Sequence, residues 1–292
     1  PPMNIRKEDR IWLFLFIMPA LSLFIVFFII PILFLFITSF TNWDGIEADF
    51  VGLNNYIKLF NNKTFIRSIV NNIYWILSSA LIQVPLALII ALLLSHRSRG
   101  WKVFRTILFI PQVVSSAAIA LLWMALYNSE YGLINFILDS IGLEGYKNHN
   151  WLGTISTVQP ALLAFWLCYV GYYMIIMLAK TTSISEDYYD AAKIDGALQF
   201  HMDWFITAPL IRSTFFTCLI LGVIFNLRQF EFVYLMTNGG PANKTGVLVL
   251  YIWKELQIQR LGLGNAAGVI MIAFGTILLL LMRRILRSQN YN

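Results

Sequence analysis

Six apolar runs, each long enough to cross a lipid bilayer, constrain this 292-residue chain more than any other feature of it. A helix needs about 20 apolar residues to span the hydrocarbon core. Residues 11–40, 69–94, 104–127, 158–179, 210–236 and 265–286 meet that length. Inside a bilayer every backbone polar group has to be satisfied within the protein, which helices do segment by segment. The expected fold class is therefore an all-α membrane protein with six transmembrane helices. Composition agrees: 12% of residues are charged, against about a quarter in soluble domains, and the mean hydropathy is +0.70. The first run is too long for a cleavable signal and lacks a small-residue cleavage site, so it reads as a span that tilts, bends at Pro31 or begins as an interfacial helix. Pro85 and Pro111 are expected to kink the second and third spans.

Lysine and arginine set the orientation. The net charge of +6 is compatible with nucleic acid, but the cations sit near the ends of apolar runs, the distribution that the positive-inside rule produces. Nucleic acid is not an expected partner. One side collects Arg6, Lys7 and Arg10; Arg97, Arg99, Lys102 and Arg105; Lys180, Lys193 and Arg212; and Arg283, Arg284 and Arg287. The other has Lys58, Lys63, Arg67, Lys147, Lys244, Lys254 and Arg260, spread over longer loops, while Arg228 falls inside a span. Both termini, with tails 1–10 and 287–292, are expected in the cytoplasm, and loops 42–68, 128–157 and 237–264 outside. The rest, 11–286, is one transmembrane domain.

Cys168 and Cys218 lie within spans and read as small buried hydrophobes. His96, His149 and His201 lie outside the spans, so no metal cluster is expected there. Gly264, Gly268 and Gly275 share one face of the last span, which suits close helix packing.

Between the fourth and fifth spans lies a polar island, residues 181–209. Ser183-x-x-Glu186 fits a capping box, and Glu186 and Asp187 suit the positive end of a helix dipole. The pattern predicts a short helix to about Ile194, a turn at Asp195-Gly196, a second short helix over 197–205, and a fifth span opening at Pro209. The small residues Ala191, Ala192, Gly196 and Ala197 cluster at the turn, where they let another chain approach closely. On the residues themselves two readings stand: an amphipathic surface connector, or a contact for a soluble partner.

The spacing Asp190-Ala191-Ala192-x-x-Asp195-Gly196-Ala197, with Pro209 twelve residues on, resembles the "EAA" loop of permeases of binding-protein-dependent ABC importers. The resemblance continues through Asn42-Trp43-Asp44, Phe50-Val51-Gly52-Leu53-Asn54-Asn55-Tyr56, Tyr131-Gly132-Leu133-Ile134-Asn135, Trp151-Leu152 and Thr237-x-Gly239-Gly240-Pro241. Together these are similar to the sugar branch, of maltose and glycerol-3-phosphate type, and the last segment to its first permease subunit, without that subunit's extra N-terminal spans in the maltose case. There are departures. Asp190 stands where Glu is usual, Asp203 where an aromatic is usual, and Ala208 where Leu is common. The resemblance implies a type I importer permease fold whose island is a coupling helix seated on a cytoplasmic ATPase. Glu186, Asp190, Ala191, Ala192, Asp195, Gly196, Ala197 and Pro209 would make or shape that contact. It also implies a second homologous permease, an ABC ATPase dimer, an extracytoplasmic solute-binding protein, a sugar substrate, and a place in the lipid of a bacterial cell membrane. No Gly-x-x-x-x-Gly-Lys-[Ser/Thr] segment occurs, so the chain is expected to be non-catalytic and to carry no cofactor. ATP and Mg would be bound by the partner ATPase.

Polar residues within spans are costly and point to function. The fifth span carries Asn226, Arg228, Gln229 and Glu231. Arg228 and Glu231, three residues apart, can share a helix face and pair; they either line a substrate path or neutralise each other in packing. Tyr234, Asn238 and Tyr173 are further pathway candidates, and Tyr172, Asn71, Asn72 and Gln83 weaker ones. An acidic sugar would want an unpaired cation, and Glu231 is expected to neutralise Arg228, so the expected substrate is a neutral oligosaccharide. The alternative is a secondary carrier driven by an ion gradient. Such carriers show internal repeats and buried ion-binding carboxylates, and here no clear repeat is seen and Glu231 is the one acidic residue well inside a span. A membrane enzyme would need a catalytic constellation, and none is present in the pattern.

Overall fold

The computed structural model describes the backbone of residues 7–289, with side chains for residue 12 and residues 14–284. Parts of the two tails therefore lie outside the described residues, as do the side chains of Arg6, Lys7, Arg10 and Arg287 used above. The described residues form helices and no strand, apart from one isolated antiparallel bridge between Thr41 and Phe50.

Among the described residues, four continuous helices are long and apolar enough to cross a membrane: Phe14–Thr38, Lys63–Ser95, Val158–Thr181 and Leu261–Arg284. The other two crossings are bent pairs. Trp101–Val113 and Ser116–Leu126 meet at 104°, and Gln199–Leu210 and Arg212–Leu227 at 66°. This corrects the expectation of a merely kinked span over 104–127. The helix stops two residues after Pro111, and Val114 and Ser115 take extended ψ angles of 144° and 131°. A proline with no amide to donate, followed by two residues that leave the helix, breaks the ladder outright. The span expected over 210–236 is corrected too. Pro209 does not open it but sits inside the preceding helix, which bends at Ile211. Helical geometry is lost again over 228–230 and resumes as the separate helix Glu231–Thr237.

The remaining prolines act differently. Pro31, Pro85 and Pro209 each follow by two residues a π-helical turn, at Ile25–Ile29, Ser79–Gln83 and Asp203–Thr207. A proline ring crowds the carbonyl four residues earlier. Here that carbonyl belongs to Phe27, Leu81 or Phe205, each inside the widened turn. The wider turn accommodates the ring and keeps the helix continuous, so Pro85 does not interrupt Lys63–Ser95.

The chain packs as two compact units, residues 1–61 with 252–270, and residues 62–251 with 271–292. In the first, no part of the most apolar stretch of Phe14–Thr38 is buried in protein, as suits a helix facing lipid. Asn55 donates to the carbonyls of Ser39 and Thr41 (2.9 and 2.8 Å), and Asn265 to the Thr38 hydroxyl (2.7 Å). The amides of Ile46 and Glu47 both donate to Asp44 at 2.9 Å and hold its carboxyl below the usual range.

The second unit has one core around Trp75, Phe165, Trp166, Phe232 and Val233 and another around Val84, Met174, Met177, Ile211 and Cys218. Cys168 is half-buried, and both cysteines are free. Glycine allows the closest approaches. A Cβ at Gly171 would overlap the carbonyl oxygen of Leu108, and one at Gly275 would sit 3.0 Å from a methyl of Leu227. The first obstacle is backbone and the second the end of a flexible side chain. Gly171→Ala is therefore expected to destabilise by at least the ~1–3 kcal/mol of an overpacked core. Gly275→Ala should be far milder. Equal thermal unfolding midpoints of the two purified variants would contradict this packing.

Candidate functional site

Two features stand out, one at each end of the fourth and fifth crossings. The first is the polar island. Its helix runs Glu186–Ile194, but the cap is Ser185 and not Ser183 as the capping-box pattern predicted. Ser183 instead donates to the carbonyl of Lys180, continuing the previous helix. Ser185 accepts from the amide of Asp187 (3.4 Å) and donates to its carboxylate (2.9 Å). The helix ends in a Schellman turn: Gly196 has φ +77°, and the amide of Ala197 reaches the carbonyl of Ala192 at 2.9 Å. A Cβ at Gly196 would meet nothing within 4 Å. Its glycine serves backbone conformation, not space.

This helix is solvent-exposed and has no fully buried residue. Asp190 pairs with Lys193 at 2.9 Å on its surface. Beyond the turn, the second helix is longer than the expected 197–205, running through Gln199–Leu210. Ile194, Leu198, Phe200 and Phe205 present a row of large apolar groups to solvent, each at least 66% exposed. Asp203, the departure from the aromatic usual in the loop, is buried and contacts His96 at 2.9 Å. It thereby fastens the island to the end of Val84–Ser95, and the bond from Tyr189 to Thr207 (3.0 Å) ties the first island helix to the second.

The second feature is a cavity of about 690 Å³ where the two breaks meet. Gln112 comes from the end of Trp101–Val113, Ser116 from the start of the next helix, and Arg228, Gln229 and Glu231 from the break in the fifth crossing. Tyr169, Tyr172, Tyr173, Trp166 and Phe225 add aromatic walls. Because Arg228 lies in the break and Glu231 opens a new helix, they do not share a helix face. Among the described residues no ion pair joins them. Glu231 accepts instead from the hydroxyl of Ser116. The Tyr169 hydroxyl and the Gln229 amide nitrogen are buried at this cavity without a protein partner. Buried donors in that state call for a ligand or solvent partner.

Of the expected pathway residues, Arg228, Gln229, Glu231 and Tyr173 line the cavity, as do Gln83 and Tyr172. Asn226 does not; it is fully buried and donates to the carbonyl of Gly222 at 2.7 Å. Tyr234 and Asn238 lie beyond it, on and after the helix Glu231–Thr237. Asn71 and Asn72 are bonded to backbone: Asn71 to the carbonyls of Asn243 and Gly246, Asn72 to that of Asn226. Sequence reasoning missed Gln112, Ser116 and Tyr169. The first two are polar residues within an apolar run, a signal that was present; Tyr169 lies three and four residues before Tyr172 and Tyr173 and carried the same signal as they did.

The family described as binding-protein-dependent transport system inner membrane component matches residues 83–290. A probable ABC transporter permease protein of Bacillus subtilis, YurN, is 30% identical over 97% of this chain and 98% of that protein. The trehalose/maltose transport system permease protein MalF of Thermococcus litoralis is 32% identical, covering 88% and 87%. Among solved structures, a bacterial alginate ABC transporter in complex with an alginate pentasaccharide-bound periplasmic protein matches with a TM-score of 0.84 at 25% identity. The match covers 97% of this chain and 96% of that one.

The contact between His96 and Asp203 makes a quantitative prediction. In a double-mutant cycle of His96→Ala and Asp203→Ala, unfolding should show a coupling of about 1–2 kcal/mol, the scale of a partly exposed hydrogen bond to a charged group. Additive losses would mean the pair does not hold the island.

Proposed function

The chain belongs to the family of binding-protein-dependent transport system inner membrane components, and we propose that it is the first of two permease subunits in an ATP-driven importer of oligosaccharides. Membership makes it a membrane-embedded ABC transporter permease of type I fold and sets aside the ion-driven carrier. One observation carries the rest: an exposed helix, Glu186–Ile194, with small residues at its turn and a row of solvent-facing apolar groups behind it. Such a surface gains most of its stability from a partner. In this reading the partner is a cytoplasmic ABC ATPase dimer that holds ATP and Mg. Glu186, Asp190, Ala191, Ala192 and Asp195 face it, Gly196 and Ala197 shape the turn, and Pro209 ends the segment that transmits its motion. One such helix serves one ATPase subunit, so a second, homologous permease serves the other. Both termini are cytoplasmic, and an extracytoplasmic solute-binding protein delivers the sugar to the far side. The relatives' names support a sugar: trehalose/maltose for one, alginate with a periplasmic protein for another.

The cavity is the proposed station on the sugar's path. Its volume lies within the ~300–1,000 Å³ typical of small-molecule sites. Aromatic walls suit the apolar faces of a sugar ring, and the donors of Tyr169, Gln229 and Arg228 suit its hydroxyls. Tyr234 stacks on Phe230, which lines the cavity.

The test is assembly and uptake by the reconstituted transporter. Ala191→Arg keeps helix propensity nearly unchanged but adds bulk and charge to the exposed face. It is expected to lower co-purification of the ATPase at least about tenfold, a change of ~1.4 kcal/mol or more. Arg228→Ala should leave assembly intact and reduce uptake. Wild-type ATPase retention in the first variant would remove the helix from the interface; unchanged uptake in the second would remove Arg228 from the path.

A further inference from the structure

A crevice of about 280 Å³ opens beside the end of Val84–Ser95, between the start of Trp101–Val113 and the last turns of Val170–Thr181. The exposed Arg97 and Arg105 line it, together with Leu94, Ile175 and Leu178. Arg105 lies over the ring of Trp101, 5.1 Å from its centre, which favours one position for the guanidinium. Arg97 has a φ of +50°, an uncommon conformation for a residue other than glycine. Four cations, Arg97, Arg99, Lys102 and Arg105, fall within nine residues that contain no acid. Among the described residues none of the four pairs with a carboxylate. The helix Trp101–Val113 also starts without an acidic residue in its first turn or a side-chain cap, so the positive end of its dipole adds to theirs.

The site thus joins an uncompensated positive rim to an apolar lining. Phe104, beside Arg105 on this helix of a membrane-embedded chain, is an exposed large hydrophobic. We infer that this crevice binds the phosphate group of an anionic phospholipid. The phosphate meets Arg97 and Arg105, whose planar forks match its oxygens, and the acyl chains run along the apolar lining of Leu94, Ile175 and Leu178 and past Phe104. Free phosphate would answer the arginines equally well but would leave the apolar lining in contact with water. Basic pockets between transmembrane helices take lipid headgroups in this way.

The experiment uses the complete transporter, purified into nanodiscs of phosphatidylcholine with a minor share of phosphatidylglycerol, and native mass spectrometry of the lipid it retains. The wild type is expected to keep phosphatidylglycerol in preference to phosphatidylcholine. Arg97→Asn, which tolerates the left-handed backbone, and Arg105→Gln should each reduce that preference about five-fold, the effect of one cation near the headgroup. Arg99→Gln, outside the crevice, should not. Subunit masses in the same spectra show whether each variant is assembled. No preference in the wild type, or the same preference in the Arg97→Asn/Arg105→Gln double variant, overturns the proposal. So does excess inorganic phosphate that strips the lipid, because the crevice would then be a site for free phosphate.

Discussion

The side-chain amide of Asn72 is the contact on which the interrupted fifth crossing depends. It is fully buried. Its nitrogen donates to the carbonyl of Asn226 at 2.9 Å, and its oxygen accepts from the amide of Leu248 at 2.8 Å. The helix Arg212–Leu227 ends beside Asn226, which leaves carbonyls without an intrahelical partner. At membrane depth such groups cannot turn to bulk water, so an irregular backbone survives only where protein satisfies it. Asn71 does the same for the carbonyls of Asn243 and Gly246, and Thr245 for that of Gly240. The carbonyl of Asn226, just before the interruption at Arg228–Phe230, is thus satisfied within the protein.

That interruption gives the fold a polar cavity. A continuous fifth helix would hold Arg228 and Glu231 on one face. The break separates them, leaves Glu231 to Ser116, and turns Arg228 and Gln229 toward the aromatic residues of Val158–Thr181. The 104° break at Val114–Ser115 brings Gln112 and Ser116 to the same place. Two departures from helix geometry thus coincide at one polar and aromatic site. At the opposite end of these crossings the π turn before Pro209 keeps Gln199–Leu210 in one piece up to the 66° bend at Ile211. Asp203 and His96 join that helix to the second crossing.

Much of this was legible in the residues. Length and hydropathy identified the crossings, because a bilayer admits few alternatives. Local rules identified the helix end at Ile194 and the turn at Gly196, because a Schellman turn depends only on neighbouring backbone. The cap was misplaced by two residues because Ser183 and Ser185 both have hydroxyls in reach of an amide, and only the path of Lys180–Ser183 selects between them. Asn71 and Asn72 looked like weak pathway residues, since a polar side chain in a span gives the same signal whether it meets a solute or a strained backbone.

The sequence by itself determined that the chain crosses a membrane, where its apolar runs lie, and that a polar island interrupts them. Each of those properties is set by residues close together in the chain. The tertiary structure decided which crossings are broken, that Arg228 and Glu231 part company, and that Gln112, Ser116, Tyr169 and Gln229 meet at one cavity. A helix ends just past Pro111 but widens past Pro31, Pro85 and Pro209, and the break at Arg228–Phe230, which has no proline, lies beside a carbonyl satisfied by the distant amide of Asn72. No local pattern carries that information.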